Sequence, residues 1–231
     1  MINSLKHSLT LTFLLFFSGN LISQDAFLEM DRVYGLDPLL YNGKKYIYFL
    51  PDGTGGNPFL SSAEFIKGDV VIKGVRFPDI LLNYDIYNQQ LLLQYLDETG
   101  APQIIEVSKA WLESFRLGDL EFKCVIDDKE TRFFQALGDG PYQILYSWRK
   151  NFKLINSTGP SYYSFSLPIR TRYVMIDGEL HNFKSKGSFI KIFDPSHQLE
   201  IRNYIQRNKI NLKHASDQIM TDLINYTGNL N

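Results

Sequence analysis

The chain has 231 residues, with 24 Lys and Arg against 25 Asp and Glu and a formal net charge of −1. A nearly balanced charge lacks the broad positive field that nucleic-acid backbones require, so the composition argues against a nucleic-acid partner. A single cysteine, Cys124, leaves no possibility of a disulfide within the chain.

The first 23 residues have the three parts of an export signal. Lys6 is the only charged residue before an apolar run at 9–17, small residues follow, and we place the cleavage before Gln24. A run of nine residues is too short to anchor the mature chain, because a spanning helix needs about 20 apolar residues. We therefore predict export to the periplasm, the outer-membrane periphery or the extracellular space. The alternative is a buried N-terminal helix.

The mature chain, residues 24–231, is predicted to form one β-rich domain with a C-terminal helical segment at about 185–228. Removing 23 residues from 231 leaves 208, enough to bury a substantial core. Aromatic residues, 17 Phe and 14 Tyr, favour sheet over helix.

Between Tyr46 and Phe183, short apolar segments alternate with period two and are separated by Gly, Pro, Asn and Asp. This pattern is typical of an antiparallel meander, and we predict about nine or ten strands. These strands are drawn from eleven candidate segments: 45–50, 65–73, 80–87, 91–95, 104–107, 120–126, 132–137, 142–149, 162–169, 172–176 and 181–183.

Three connections between these segments have the composition of hairpin turns. Gly74 marks a turn, Asp177-Gly178 is a strong turn signal, and the polar residues 127–130 have hairpin length between two apolar segments. The clearest alternation is at 142–149, which predicts one buried face and one solvent-exposed face.

The last 45 residues change to a helical period. Asp194 followed by Pro195 predicts an N-cap and a first helical turn, and Ser216 predicts the cap of a final helix that ends near Gly228. A shorter helical turn is expected at 188–193. The fold class is therefore mainly β (α+β): an antiparallel meander that forms a sandwich or an open barrel, with two or three C-terminal helices packed on it.

Two loops resemble ligand-binding motifs only superficially. The loop 51–58 is rich in glycine, but no Gly-Lys-Ser/Thr sequence opens a helix after it, so a surface loop is the better interpretation. The loop 138–141 lacks the same context.

Residues with reactive side chains do not form a recognisable pattern along the sequence. The mature histidines, His181, His197 and His214, are far apart and lack metal-ligand spacing. Asp127-Asp128 lies in a presumed turn, and Cys124 alternates with apolar residues like a buried thiol. We predict no catalytic, cofactor-binding or metal-ligating residue and no cofactor.

One basic segment has aromatic neighbours. Arg149, Lys150 and Lys153 alternate with Trp148 and Phe152, a pattern that could be drawn as a nucleic-acid patch. The charge of the whole chain makes a solvated strand end the preferred interpretation.

Six short motifs occur along the chain: Leu40-Tyr41-Asn42-Gly43, Gly74-Val75-Arg76-Phe77, Leu82-Asn83-Tyr84-Asp85, Tyr173-Val174-Met175-Ile176-Asp177-Gly178, Lys184-Ser185-Lys186 and Leu223-Ile224-Asn225-Tyr226. Together they resemble the motifs of a group of uncharacterised exported proteins common in Bacteroidota. The Ser23-Gln24 junction resembles signal cleavage sites of the same phylum. The resemblance implies an envelope or secreted location in a Gram-negative bacterium and no functional residue.

Three hypotheses for function follow from the sequence. The first is a noncatalytic exported protein that binds an envelope protein or has a structural role, since exposed Tyr and Trp are typical of contact surfaces. The second is a carrier of an apolar ligand or lipid inside a curled sheet. The third is an envelope hydrolase whose carboxylates come together from distant positions.

Overall fold

The computed structural model describes residues 36–127, 130–156 and 162–230. Backbone contacts divide the chain into two units, Met1–Asn42 and Gly43–Asn231. In the first unit, Asp37 closes a turn by accepting hydrogen bonds from the backbone N–H groups of Leu40 and Tyr41 at 3.1 and 2.9 Å. All the described strands and helices belong to the second unit.

The second unit is mainly antiparallel β-sheet with three helices near the C-terminus, as the sequence predicts. The strands are β1 (Lys44–Lys45), β2 (Ile66–Ile72), β3 (Val75–Asp85), β4 (Gln90–Leu96), β5 (Pro102–Glu106), β6 (Leu112–Leu117), β7 (Leu120–Asp127), β8 (Glu130–Leu137), β9 (Tyr142–Arg149), β10 (Phe152–Ile155), β11 (Tyr162–Phe165), β12 (Ile169–Ile176) and β13 (Glu179–Phe183). The helices are α1 (Lys186–Ile190), α2 (Gln198–Arg207) and α3 (Asp217–Gly228).

Eleven of the described strands form one sheet, in the order β1-β5-β4-β3-β2-β6-β7-β8-β9-β12-β13. Strands β2 to β5 and β6 to β9 are two meanders that run in opposite directions from a shared centre, where β2 pairs with β6. Strands β10 and β11 form a separate two-stranded ribbon. The large sheet is not closed, because β1 and β13 each have one neighbour in it.

The large sheet is strongly curled, as the distances between aromatic rings show. In a flat sheet, the four strand steps from β3 to β8 would separate their side chains by about 19 Å. The ring centroids of Tyr84 on β3 and Phe133 on β8 are 5.5 Å apart, and Tyr84 also contacts Phe122 on β7 at 5.4 Å. We call the side of the sheet that carries these rings the inner face.

The short connection between β5 and β6 also requires this curl. Residues 107–111 must pass from β5 to a strand on the far side of β4, β3 and β2. The ammonium group of Lys109, in the middle of this connection, lies 5.0 Å from the ring centroid of Phe133. The connection therefore crosses one end of the curled sheet, above its interior.

The helices cover the inner face of the last strands. Buried residues of α1 to α3 form a hydrophobic cluster with Ile144, Tyr146, Val174 and Phe183 of β9, β12 and β13. The inner face is therefore covered in two ways, by its own curl at β2 to β8 and by the helices at β9 to β13. No helix among the described residues has the length and hydrophobicity needed to span a membrane.

The predicted hairpin turns occur where they were expected. Lys73-Gly74 and Asp177-Gly178 both have two positive φ angles, which is the backbone of a type I′ hairpin. Strands β7 and β8 pair across the predicted polar connection, in which residues 128–129 lie outside the described residues.

Some strand boundaries were predicted wrongly. The first strand is only Lys44–Lys45, whereas residues 46–50 were expected to be extended within a sheet. Strand β6 was missed because its buried residues, Leu112, Phe115 and Leu117, do not keep a period of two next to an irregular pairing with β2. Thirteen strands lie within the described residues, more than the nine or ten expected.

The region around β9 also differs from expectation. The prediction of one solvent-exposed face was wrong, because Leu145 and Ser147 are buried on the side opposite Tyr146. The segment 162–169 was predicted as one strand, but it is divided between β11, which pairs with the missed strand β10, and the start of β12.

One helix cap was also predicted wrongly. Helix α2 begins at Gln198, and Asp194 instead closes a turn by accepting hydrogen bonds from the backbone N–H and the hydroxyl of Ser196 at 2.9 and 2.6 Å. The predicted cap of the last helix is confirmed, because the Ser216 hydroxyl accepts a hydrogen bond from the backbone N–H of Ile219 at 3.4 Å.

Candidate functional site

The thiol of Cys124 lies on the inner face of β7, opposite Phe133. Burial raises the pKa of this thiol to about 12, although the charge of Lys109 acts in the opposite direction. Because the thiolate is the nucleophilic form, this environment disfavours reaction at Cys124.

The three mature histidines are in different parts of the fold. His181 is on the edge strand β13, His197 precedes α2, and His214 is in the connection between α2 and α3. Among the described residues, no group of three or more His, Cys, Asp and Glu side chains is arranged to hold a metal ion. Asp127 ends β7, and Asp128 lies outside the described residues.

The glycine-rich loop 51–58 braces the β10–β11 ribbon. Gly55 donates its N–H to the carbonyl of Tyr163 at 2.8 Å, and it accepts the N–H of Phe165 at 3.0 Å. The ammonium group of Lys150 donates to the backbone carbonyl of Asn57 at 2.9 Å. The N–H group of Gly55 is therefore bonded to the ribbon, whereas a phosphate-binding loop needs backbone N–H groups that are free to bind phosphate. The other loop, 138–141, is a turn that leads into β9.

A buried carboxylate at the end of β3, Asp85, was not found by sequence reasoning. One oxygen accepts the hydroxyl of Tyr46 and the side-chain amide of Asn88, both at 2.8 Å. The other accepts the backbone N–H groups of Tyr87 and Asn88 at 2.9 and 2.8 Å. Four donors satisfy both oxygens, so this carboxylate closes the β3–β4 turn and has little capacity left for a substrate.

Two tyrosines near Asp85, Tyr46 and Tyr48, have raised pKa values. Burial, followed by the nearby carboxylate, raises the pKa of Tyr46 well above its usual range and raises the pKa of Tyr48 to about 12. Both phenols therefore stay protonated at neutral pH. This property suits a hydrogen-bonded turn better than it suits a general base.

A second buried carboxylate, Asp69, lies on the outer face of the sheet. Arg76 and Arg116 from the neighbouring strands each place a guanidinium nitrogen 2.6 Å from the same oxygen. Burial alone would raise the pKa of Asp69, but the hydrogen bonds from both arginines lower it. This cluster links β3, β2 and β6.

A third polar cluster attaches the N-terminus of α3 to the sheet. Asp217 accepts the side-chain amide of Gln135 at 2.6 Å and lies 3.4 Å from the guanidinium of Arg170. Trp148 donates its indole N–H to Gln135 at 2.9 Å. The hydroxyl of Tyr146, buried beside this cluster, has no hydrogen-bond partner among the described residues.

A shallow groove of about 410 Å³ lies between α2 and α3. His214, Lys209 and Asp222 are among its lining residues, and Tyr204 stacks on Tyr226 at a centroid distance of 4.0 Å. Asp222 already accepts a hydrogen bond from Gln218 at 2.9 Å. The groove has no set of converging groups that indicates a ligand.

The interior of the curled sheet is filled by aromatic rings where the two halves face each other. Phe115 stacks on Phe122 at 4.7 Å, and Tyr84 meets both rings edge-on at 5.7 and 5.4 Å. The hydroxyl of Tyr84 donates to the side chain of Gln89 at 2.9 Å. At these distances the rings are in contact, so this region is a packed core.

The β10–β11 ribbon carries an exposed apolar surface at one end. Its inner end is packed, because Phe152 and Phe165 contact each other at 4.6 Å and both contact Tyr87. Its outer end is exposed. There the exposed fractions are 48% for Leu154, 37% for Ile155, 43% for Tyr162 and 39% for Tyr163.

The outer end of the ribbon is apolar on both faces. The pairing places Leu154 opposite Tyr163 on one face and Ile155 opposite Tyr162 on the other. An ordinary ribbon with one buried face alternates apolar and polar residues. Two consecutive apolar residues in each strand were therefore the sequence signal for this surface, and our strand prediction overlooked it.

No protein-family model matches the chain, and no curated protein or solved structure shows significant similarity to it. The resemblance to exported proteins of Bacteroidota therefore stays a prediction.

Proposed function

We propose that this chain is a noncatalytic exported protein that acts by binding, and that the β10–β11 ribbon is its contact surface. The observation that carries the proposal is the exposure of Leu154, Ile155, Tyr162 and Tyr163 on both faces of one two-stranded ribbon. Exposure of grouped apolar residues to water is unfavourable, and the free energy falls when a partner covers them.

Contacts with the rest of the fold hold part of the ribbon in place. Ring contacts hold its inner end, and backbone hydrogen bonds to Gly55 hold one edge of β11. An isolated two-stranded hairpin would be marginally stable in water. Because the rest of the fold braces the ribbon, less conformational entropy is lost when it binds.

The alternative functions have weaker support. Carriage of an apolar ligand would use the interior of the curled sheet, where the rings of Tyr84, Phe115 and Phe122 are in mutual contact. A hydrolase would use facing carboxylates, but both oxygens of Asp85 are occupied by donors of its own turn, and Asp69 is paired with Arg76 and Arg116.

Site-specific photo-cross-linking tests the proposal. A photoreactive amino acid at Leu154 should give a discrete adduct in the cells that produce the protein, whereas the same probe at Leu199 should not. Leu199 is a matched control because it is 67% exposed and lies on α2, away from the ribbon. Mass spectrometry of the adduct identifies its chemical class. The proposal is wrong if Leu154 gives no adduct beyond that of Leu199.

A further inference from the structure

We infer that the partner of the β10–β11 ribbon is the interfacial layer of an anionic lipid bilayer. This inference rests on the proposed function and specifies the partner of the same surface. It depends on three observations: the absence of a polar face at the outer end of the ribbon, the chemistry of its aromatic residues, and the charge of the segment that contains it.

The first observation concerns the two faces of the ribbon. A flat docking surface needs one apolar face, and the opposite face then stays polar in water. Here Leu154 and Ile155 are adjacent in β10, so they point to opposite sides, and Tyr162 and Tyr163 do the same in β11. A surrounding apolar medium covers both sides at once, which a flat protein surface does not.

The second observation is the pair of exposed tyrosines. Tyrosine has an apolar ring and a polar hydroxyl, and it is enriched at the depth where lipid headgroups meet acyl chains. Tyr162 and Tyr163 lie on opposite faces at the same level of the ribbon, with Leu154 and Ile155 opposite them. Together these four side chains form a belt that suits shallow insertion.

The third observation is the segregation of charge along the chain. Residues 140–176 contain five Lys and Arg and no Asp or Glu, although acids slightly outnumber bases in the whole chain. Two of these cations, Arg149 and Lys153, are exposed at or near the inner end of the ribbon. The bracing loop 51–58 contributes one acid, Asp52.

With the outer end of the ribbon inserted, cations at its inner end would meet the headgroup phosphates. Each Lys or Arg near an anionic membrane contributes about 1 kcal/mol, which corresponds to roughly a fivefold change in partitioning.

Vesicle flotation tests the inference. The purified protein should float with vesicles of phosphatidylcholine and phosphatidylglycerol in equimolar mixture, and much less with vesicles of phosphatidylcholine alone. The double variant Leu154→Ser/Tyr163→Ser should lose this partitioning. The double variant Ile126→Ser/Leu199→Ser should keep it, since these residues are 77% and 67% exposed elsewhere on the surface.

A second pair of variants tests the charge. The variant Arg149→Gln/Lys153→Gln should reduce partitioning into anionic vesicles about 25-fold, and the effect should shrink at high salt. The variant Arg202→Gln/Arg207→Gln removes two exposed cations from α2 and should leave partitioning unchanged. Circular dichroism of each variant verifies that the fold is retained.

Each remaining outcome counts against the inference. It is overturned if the protein floats with neither vesicle, if it floats equally with both, or if the ribbon variants float like the native protein. If the Leu154 probe captures a protein and the vesicles capture nothing, the lipid inference fails while the proposed function stands. If neither experiment depends on the ribbon, both fail.

Discussion

At Gly68, the backbone of β2 lies close to the backbone of β6. A Cβ atom at this position would be 2.0 Å from the carbonyl oxygen of Arg116. The pairing of β2 with β3 is irregular immediately after Gly68, as expected where a glycine permits a bulge and a close backbone approach. The sequence places Gly68 within a predicted strand, but it does not show that β6 is the strand that approaches it.

We expect Gly68→Ala to lower the free energy of unfolding by about 3 kcal/mol or more, because backbone atoms cannot move aside as a flexible side chain can. Urea denaturation measures the change. Gly140→Ala is the matched control, since a Cβ atom there meets nothing within 4 Å, and it should change stability by less than about 0.5 kcal/mol. Equal effects of the two substitutions would contradict the close approach.

Asp69 predicts a specific response to acid. The lowered pKa of its carboxyl group means that its contribution to stability is complete above the pKa of the unfolded chain. The contribution is lost as the pH falls below that value and through the pKa of the folded state. Arg116 is 47 residues away in sequence, so this pairing could not be predicted before the strand order was known.

We expect Asp69→Asn to cost about 1 to 3 kcal/mol at neutral pH, because it removes charge-assisted hydrogen bonds from two arginines. The difference from the native protein should shrink in acid. Urea unfolding at a series of pH values measures it, and Glu98→Gln, in an exposed turn, serves as the control. A difference that stayed constant from neutral to acidic pH would show that the Asp69 charge has no role.

At the level of elements, helix α3 shows how well a period predicts a buried face. Its buried residues include Met220, Leu223 and Ile224, and its cap is the predicted Ser216. The local signals were sufficient because capping and amphipathic spacing act within a few turns. Strand β10 shows the opposite case, since Leu154 and Ile155 are consecutive apolar residues and do not alternate.

We expect Leu223→Ala to destabilise the protein by about 2 to 5 kcal/mol, since this side chain is fully buried in the cluster between the helices and the sheet. Ile219 lies on the same helix and is 42% exposed, so Ile219→Ala should lower the free energy of unfolding by less than about 1 kcal/mol. Thermal unfolding followed by circular dichroism compares them. If the two variants melt together, α3 does not pack on the sheet through Leu223.

For the whole molecule, the mainly antiparallel fold and its C-terminal helices were predictable, because alternation and turn composition are local. The strand order was not. A simple meander would place β6 beside β5, whereas the chain crosses the end of the curled sheet and pairs β6 with β2. This choice depends on aromatic packing between β3 and β6 to β8, which no local pattern encodes.

Processing of the N-terminus is the prediction that concerns the whole chain. We expect the protein from its native host to begin at Gln24, because residues 1–23 have the composition of an export signal. Intact-mass measurement after cell fractionation tests this expectation. An unprocessed chain in the cytosol would contradict export, and with it the envelope setting of the proposed function.

The position of the ribbon within the topology has one further consequence. Strands β9 and β12 are antiparallel neighbours, and Arg149 pairs directly with Ile169. The chain therefore leaves the large sheet after Arg149 and rejoins it at the neighbouring residue Ile169. Natural selection can change the length of such an insert without altering the register of β9 and β12, as long as the contacts of the ribbon with Tyr87 and Gly55 are kept.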